Sequence, residues 1–264
     1  MISKAKANRW HFSLISSLTA IATGILYLSA CGPKITPEYI QAKHLRADSL
    51  LLAGNYNKAL KEYHKALRAD DKYPETYRKM AECFTNLALP DSAVTYYEGA
   101  IVFNPRDIDA YQKIGDIYFD RQMYHEAMTW YDRGIQIGYL KPESYIKLAQ
   151  IHQNWNDLDM TGKYYKLAVI IDSTNPDGYY GLGLVNLASA DTTAAEANFM
   201  KAFNYGPHAA AAYRLGLIYA QRKHYDEAIK WLSRCEKLEP AGDLGRQAYH
   251  RQMEIIVKMK SGQE

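Results

Sequence analysis

Residues 74–107 read PETYRKMAECFTNLALPDSAVTYYEGAIVFNPRD, and the fold is decided by laying this stretch against the rest of the chain at a step of 34 residues. In its first half Tyr77, Met80, Ala81 and Phe84 stand at i, i+3, i+4 and i+7, one stripe of an α-helix. Outward from Ala81, a small residue returns as Ala47, Gly115, Ala149, Gly183 and Gly216. From Ala93 in the second half, Ala returns as Ala59, Ala127, Ala195 and Ala228, with Thr161 the one departure. Four residues after each stands Tyr63, Tyr97, Tyr131, Tyr165, Phe199 or Leu232. Three residues later come Ala66, Ala100, Gly134, Ala168, Ala202 and Cys235.

Helices approach closely only where a side chain is small, and a large neighbour fills the space beside it, so these columns predict helix crossings. Pro105, Pro207 and Pro240 fall at the ends of second helices. Pro74, Pro142 and Pro176 open new first helices, each with an acidic residue behind it, which suits the free amides and positive dipole of a helix start. The Tyr column at 77, 111, 145 and 179 shares the packing register and is read as core rather than as a stacking platform.

The period, small columns, aromatic positions and terminal Pro resemble the tetratricopeptide repeat family over residues 40–242. The resemblance implies an all-α, right-handed superhelical solenoid of six helix-turn-helix units, at 40–73, 74–107, 108–141, 142–175, 176–208 and 209–242, with one residue missing between the last two. The first unit departs most, because Lys43 and Arg46 occupy columns that are aromatic and aliphatic elsewhere. Residues 243–264 hold Leu244, Ala248, Met253, Ile255, Ile256 and Met259 among Arg246, His250, Arg251 and Lys258. This segment is expected to end the stack as a polar-faced capping helix.

Ahead of the repeats, residues 1–11 carry Lys4, Lys6 and Arg9, and Phe12 to Leu28 is an apolar stretch broken only by Ser, Thr and Gly, the pattern of a secretion signal. Leu28-Ser29-Ala30-Cys31 resembles the lipobox of bacterial lipoproteins. That resemblance implies cleavage after residue 30, acyl chains such as palmitate on Cys31, and a short tether over 31–39. With Gly32 rather than Asp after the cysteine, it further implies an outer-membrane location facing the periplasm. An uncleaved signal anchor is the alternative, since the apolar run approaches the roughly 20 residues that cross a bilayer.

Removing Lys4, Lys6 and Arg9 leaves equal numbers of basic and acidic side chains, which does not suit nucleic-acid binding. Cys31, Cys83 and Cys235 are an odd set, and the last two lie more than four repeats apart, too far for a disulfide. Both are expected to be small buried residues. The eight His residues are scattered, so no metal or cofactor site is expected.

A solenoid's first helices offer an extended binding surface. Turning away from the packing stripe, the early repeats present Glu75, Arg78, Glu82, Asp109, Gln112, Asp116 and Asp120. The later ones present Ile146, Tyr180, Leu184, Leu187, Tyr213 and Leu217. An apolar band beside an acidic one suggests a groove for a segment of another envelope protein with a basic flank. Burial of the band between repeats, or beneath the chain itself, is the competing reading. The function expected is a non-catalytic, membrane-anchored scaffold for an outer-membrane, secretion or pilus complex, with protein or peptide partners and no small-molecule substrate. An envelope enzyme or glycan-binding repeat protein is the rival class. It would require convergent carboxylates or a nucleophile with a base, whereas Asp109, Asp116 and Asp120, the one acidic cluster, sit on a surface expected to be open to water.

Overall fold

The computed structural model describes residues 36–69 and 71–261. The signal segment, Cys31 and most of the tether therefore lie outside the described residues. Everything regular within them is α-helical. The chain divides into two compact units, one ending at Leu89 and one starting at Pro90. The first holds α1 (Pro37–Leu52), α2 (Tyr56–Ala69) and α3 (Pro74–Asn86). The second holds α4 (Pro90–Phe103), α5 (Ile108–Asp120), α6 (Tyr124–Ile137), α7 (Pro142–Asn154), α8 (Leu158–Ile171), α9 (Pro176–Ala188), α10 (Thr192–Tyr205), α11 (Ala209–Gln221), α12 (Tyr225–Leu238) and α13 (Asp243–Ser261).

Helix starts follow the chemistry of their first residues. Pro74, Pro142 and Pro176 are the first helical residues of α3, α7 and α9, where a missing N–H costs nothing. Side-chain oxygens of Thr36, Asp107, Asp157, Asn175 and Asp191 accept from backbone N–H groups three residues on, satisfying donors that the helix cannot.

The turn inside each helix pair repeats more strictly than any side chain. Gly54, Ala88, Gln122, Asn156, Ala190 and Lys223 all have positive φ, between 55° and 72°. They recur every 34 residues until the last step, which is 33, where the single missing residue falls. After each, the next N–H donates to the carbonyl five residues back: Asn55 to Leu50, Leu89 to Phe84, Met123 to Tyr118, Asp157 to His152, Asp191 to Asn186 and His224 to Tyr219. This bond closes a left-handed helix end of the kind glycine favours. Gly54 meets that preference and Asn156 tolerates it, so the turns at Ala88, Gln122, Ala190 and Lys223 are held against their residue's own bias by the packing around them.

That packing is small against large. A Cβ added to Gly115 would lie 2.6 Å from the Tyr131 ring, one on Gly183 2.5 Å from Phe199, and one on Gly216 2.7 Å from Leu232. Between consecutive pairs, a Cβ on Gly181 would lie 2.2 Å from the Tyr165 ring. Ala59, Ala93, Ala127, Ala195 and Ala228 are all fully buried. In two pairs the tyrosine hydroxyl extends through the crossing to a carboxylate on the first helix. Tyr63 donates to Asp48 at 2.5 Å and Tyr131 to Asp116 at 2.8 Å.

Lys43, in place of the aromatic found elsewhere, lays its ammonium 5.3 Å from the centre of the Tyr39 ring and 3.5 Å from the Glu62 carboxylate. At the far end α13 buries Ala248 and Ile255 and packs Gly245 against the backbone carbonyl of Glu239. The polar residues expected on its outer face, Arg246, His250, Arg251 and Lys258, are exposed, and beside them Tyr249, Met253 and Val257 form an exposed apolar stripe, with Met259 also exposed.

Three stability outcomes follow from these contacts. Gly181→Ala should lower stability, since overpacking costs about 1–3 kcal/mol against a helix-propensity gain of at most about 1 kcal/mol. Gly162→Ala, whose Cβ would meet Val185 at an ordinary 3.5 Å, should be neutral or stabilising. Ala190→Gly should stabilise by up to about 1 kcal/mol by relieving the left-handed turn. Urea unfolding followed by circular dichroism checks all three.

Candidate functional site

A groove of about 670 Å³ opens between α8, α9 and α10. On α8 it is lined by Leu158, Asp159, Gly162, Lys163, Lys166, Leu167 and Ile170, on α9 and just beyond it by Leu182, Val185, Asn186 and Ser189, and on α10 by Ala194 and Asn198. Leu158 is 37% exposed and Ile170 73% exposed, so two large apolar side chains at the rim stand in solvent. The Asn198 amide donates to the Asn186 side-chain oxygen at 2.8 Å, tying α10 to α9 along one wall.

The groove has a cause in the repeat pattern. At steps of one repeat from Gly162 stand Leu60, Val94, Met128 and Ile229, with Glu196 the other exception. The fourth repeat therefore lacks the side chain that fills this place in most of the others. Packing does not demand the glycine, because a Cβ there would make only ordinary contact with Val185. Ile170 is the opposite departure, since its column is otherwise Arg68, Gln136, Asn204 and Lys237, with Val102 the other apolar member. One apolar group is removed from the floor and another is placed on the rim. Such a site accepts a large aliphatic or aromatic side chain, and exposed Lys163 and Lys166 outnumber the one acidic lining residue, Asp159, which favours a carboxylate neighbour. Reading the sequence for what the columns share missed these residues; the signal was what one column lacks.

The face expected from the sequence looks different in detail. Ile146 is 8% exposed and belongs to the core around Tyr145, Leu148 and Ala149, which corrects its placement on a wetted surface. Tyr180 stacks on His208 at 4.6 Å and tilts against Phe199 at 5.6 Å, and Leu184, Leu187 and Tyr213 pack partly buried against the same cluster. Leu217 is half-buried. Inter-repeat packing thus takes up most of the band.

The acidic positions are engaged by lysines at and just beyond the end of their own repeat. Asp109 pairs with Lys141 at 3.0 Å and Asp116 with Lys147 at 2.9 Å, while Asp120 lies 3.8 Å from Lys147. Gln112 is 4% exposed and accepts from the Lys141 backbone N–H, so it is a structural residue and not a surface one. In the first unit Glu75 pairs with Arg78 and Glu82 with Lys79. Expected as one negative surface, these side chains form local ion pairs, each worth little at a wet surface.

The remaining titratable groups act as structural pieces. Burial pushes the Cys83 and Cys235 thiols up to about 11, so both stay protonated and weakly nucleophilic at neutral pH. His152 lies 3.1 Å from Asp157, which caps α8. Burial also raises the Asp132 carboxyl, with His152 pulling the other way. Nδ1 of His208 accepts from the Ala211 N–H to cap α11, and its other nitrogen holds Asp177 below the usual carboxylate range. Among the described residues no three His, Cys, Asp or Glu side chains gather as a metal site, and no helix is long and apolar enough to cross a membrane.

Comparison with known proteins agrees with this architecture. The tetratricopeptide repeat family matches residues 108–137, 142–175 and 180–242. A search of curated proteins finds no match. Among solved structures, Pseudomonas aeruginosa pilF is 16% identical with a TM-score of 0.68 over 81% of this chain and 98% of that one. PilW, described as a widely conserved type IV pilus biogenesis factor, is 15% identical with a TM-score of 0.63 over 81% of this chain and all of that one. YrrB, described as a tetratricopeptide repeat protein with an unusual peptide-binding site, is 18% identical with a TM-score of 0.57 over 71% and 97%. At these identities the likeness is one of fold. Together, the matched segments and the helix pairs around them make this chain a tetratricopeptide repeat protein.

Proposed function

We propose that this chain is a non-catalytic scaffold lipoprotein of the bacterial envelope, held at a membrane through Cys31, whose repeats grip a segment of another envelope protein in the groove beside Gly162. The observation that carries the binding part is the side chain missing from the floor of that groove. A partner's Leu, Ile, Met or Phe supplies it, and an acidic residue next in its sequence meets Lys163 or Lys166. The occupant then completes the packing that neighbouring repeats make internally, which gives affinity without any reorganisation of the fold. The half-buried Leu217 and Tyr213 on the first-helix face are the secondary candidate. The likeness to pilF, PilW and the peptide-binding YrrB supports a role in holding or assembling other proteins, a pilus-type complex among them. The anchor rests on the lipobox resemblance at residues 28–31.

Crosslinking in intact cells recovers the partner, and two variants then locate its seat. Gly162→Met restores the bulk usual at this position, so it should leave the helical fold intact while weakening partner binding at least about tenfold, the equivalent of one buried aliphatic group. Leu217→Asp should bind as the unaltered chain does. Unchanged binding by Gly162→Met together with loss in Leu217→Asp would move the site to the first-helix face and contradict the proposal. Labelled palmitate should enter the full chain and be absent from Cys31→Ser; label that persists in Cys31→Ser would refute the anchor.

A further inference from the structure

The first unit contains a second cleft, of about 680 Å³, on the surface of α1 and α2, and its lining is cationic. Arg46 comes from α1. Lys58, Lys61, Lys65 and Arg68 recur along α2 at i, i+3, i+7 and i+10, one face of the helix. Glu62, 6% exposed at the base of this face, is its one acidic group. That carboxylate is already occupied: a hydrogen bond from Lys65 at 2.7 Å is the main cause of its lowered pKa, and Lys43 adds an ion pair at 3.5 Å. Among the described residues, no ion pair is formed by Arg46, Lys58, Lys61 or Arg68. All four are exposed; Arg46 is near enough to help lower the Glu62 pKa, while Lys58, Lys61 and Arg68 have no ion-pair partner among the described residues.

The repeat period shows that this face is peculiar to one repeat. Where the first has Lys58, Lys61, Lys65 and Arg68, the second has Ser92, Thr95, Gly99 and Val102, and the fifth has Ala194, Ala197, Lys201 and Asn204. The sixth comes nearest, with Lys230, Arg234 and Lys237, but it places Glu227 at the first position and folds Arg234 over the Trp231 ring. Only the repeat next to the anchor is cationic at all four places. Its position matters, because α1 and α2 form an antiparallel pair, so Lys65 and Arg68 return towards the end of α1 that begins at Pro37. Cys31 is five residues from Thr36, a span of at most about 18 Å.

We propose that the α1–α2 face binds the phosphate groups of anionic phospholipids and lays the first repeat on the membrane surface. This inference rests on the reading of Cys31 as a lipid anchor for its choice of a bilayer over a soluble anion. The anchor confines the repeat to the surface, and the cations then fix which face meets it. That turns a tether free to rotate into an oriented support.

The test uses the chain from Gly32 onward, which has no lipid and keeps the whole core, since the buried apolar residues run from Ala47 to Ile255. It should sediment with vesicles containing about one third phosphatidylglycerol and not with pure phosphatidylcholine, and raising salt to about 0.5 M should release it. Lys58→Glu with Lys61→Glu should weaken vesicle binding at least about tenfold, and Lys58→Arg with Lys61→Arg should retain it. Circular dichroism confirms that each variant is folded. Binding that ignores lipid charge, or is equal in the Glu variant, overturns the proposal. So does saturable binding of inorganic phosphate, or of polyglutamate, without vesicle binding. Palmitate labelling of the full chain is read separately, so a missing anchor and an inert cationic face give different results.

Discussion

Two helices can lie against each other only as closely as their bulkiest facing atoms allow, and this chain meets that limit by setting a glycine or alanine opposite a ring. At Gly115 even one added carbon would fall within 2.6 Å of Tyr131, so the crossing has no spare room. The same arrangement returns at Gly183 and Phe199, and at Gly216 and Leu232. It also joins consecutive pairs, where Gly181 sits under Tyr165. Once these approaches are fixed, the connecting turn has little freedom. Ala88, Gln122, Ala190 and Lys223 accept left-handed backbone geometry that none of them prefers.

The same constraint explains where a ligand could enter. A stack whose columns are filled offers only ordinary surface, and most of the first-helix band that reads as exposed in the sequence is used between repeats. Tyr180 illustrates this, since it lies between Phe199 and His208. The apolar groove opens where a column is left empty. Gly162 does that in a column that carries Leu, Val, Met or Ile in four of the other five repeats, and Ile170 adds apolar surface at the edge of the opening. Function in this reading is a local exception to the rule that builds the fold.

The helical fold, the pairing of helices and the burial of Cys83 and Cys235 were legible in the sequence because each depends on side-chain size at fixed spacing. The turns were not, since a left-handed Ala or Lys carries no mark that distinguishes it from a helical one. Ile146 and Gln112 were misplaced because helical register tells which side of one helix a residue occupies, whereas burial depends on the neighbouring pair. Asp109 and Asp116 appeared as a negative surface because Lys141 and Lys147, which neutralise them, lie about one repeat downstream. The groove went unseen for a related reason: Gly162 looks unremarkable until its column is compared across repeats.

The account as a whole requires that small and large partners be energetically coupled across each crossing. A double-mutant cycle on Gly181 and Tyr165 measures this by comparing unfolding free energies of the two single variants, the double variant and the unaltered chain. If the ring is what forbids the extra carbon, Gly181→Ala should destabilise the chain when Tyr165 is present and become neutral or stabilising once Tyr165 is Ala, a coupling of about 1–3 kcal/mol. An identical loss in both backgrounds would mean that the ring does not set the approach of the helices, and would contradict the account.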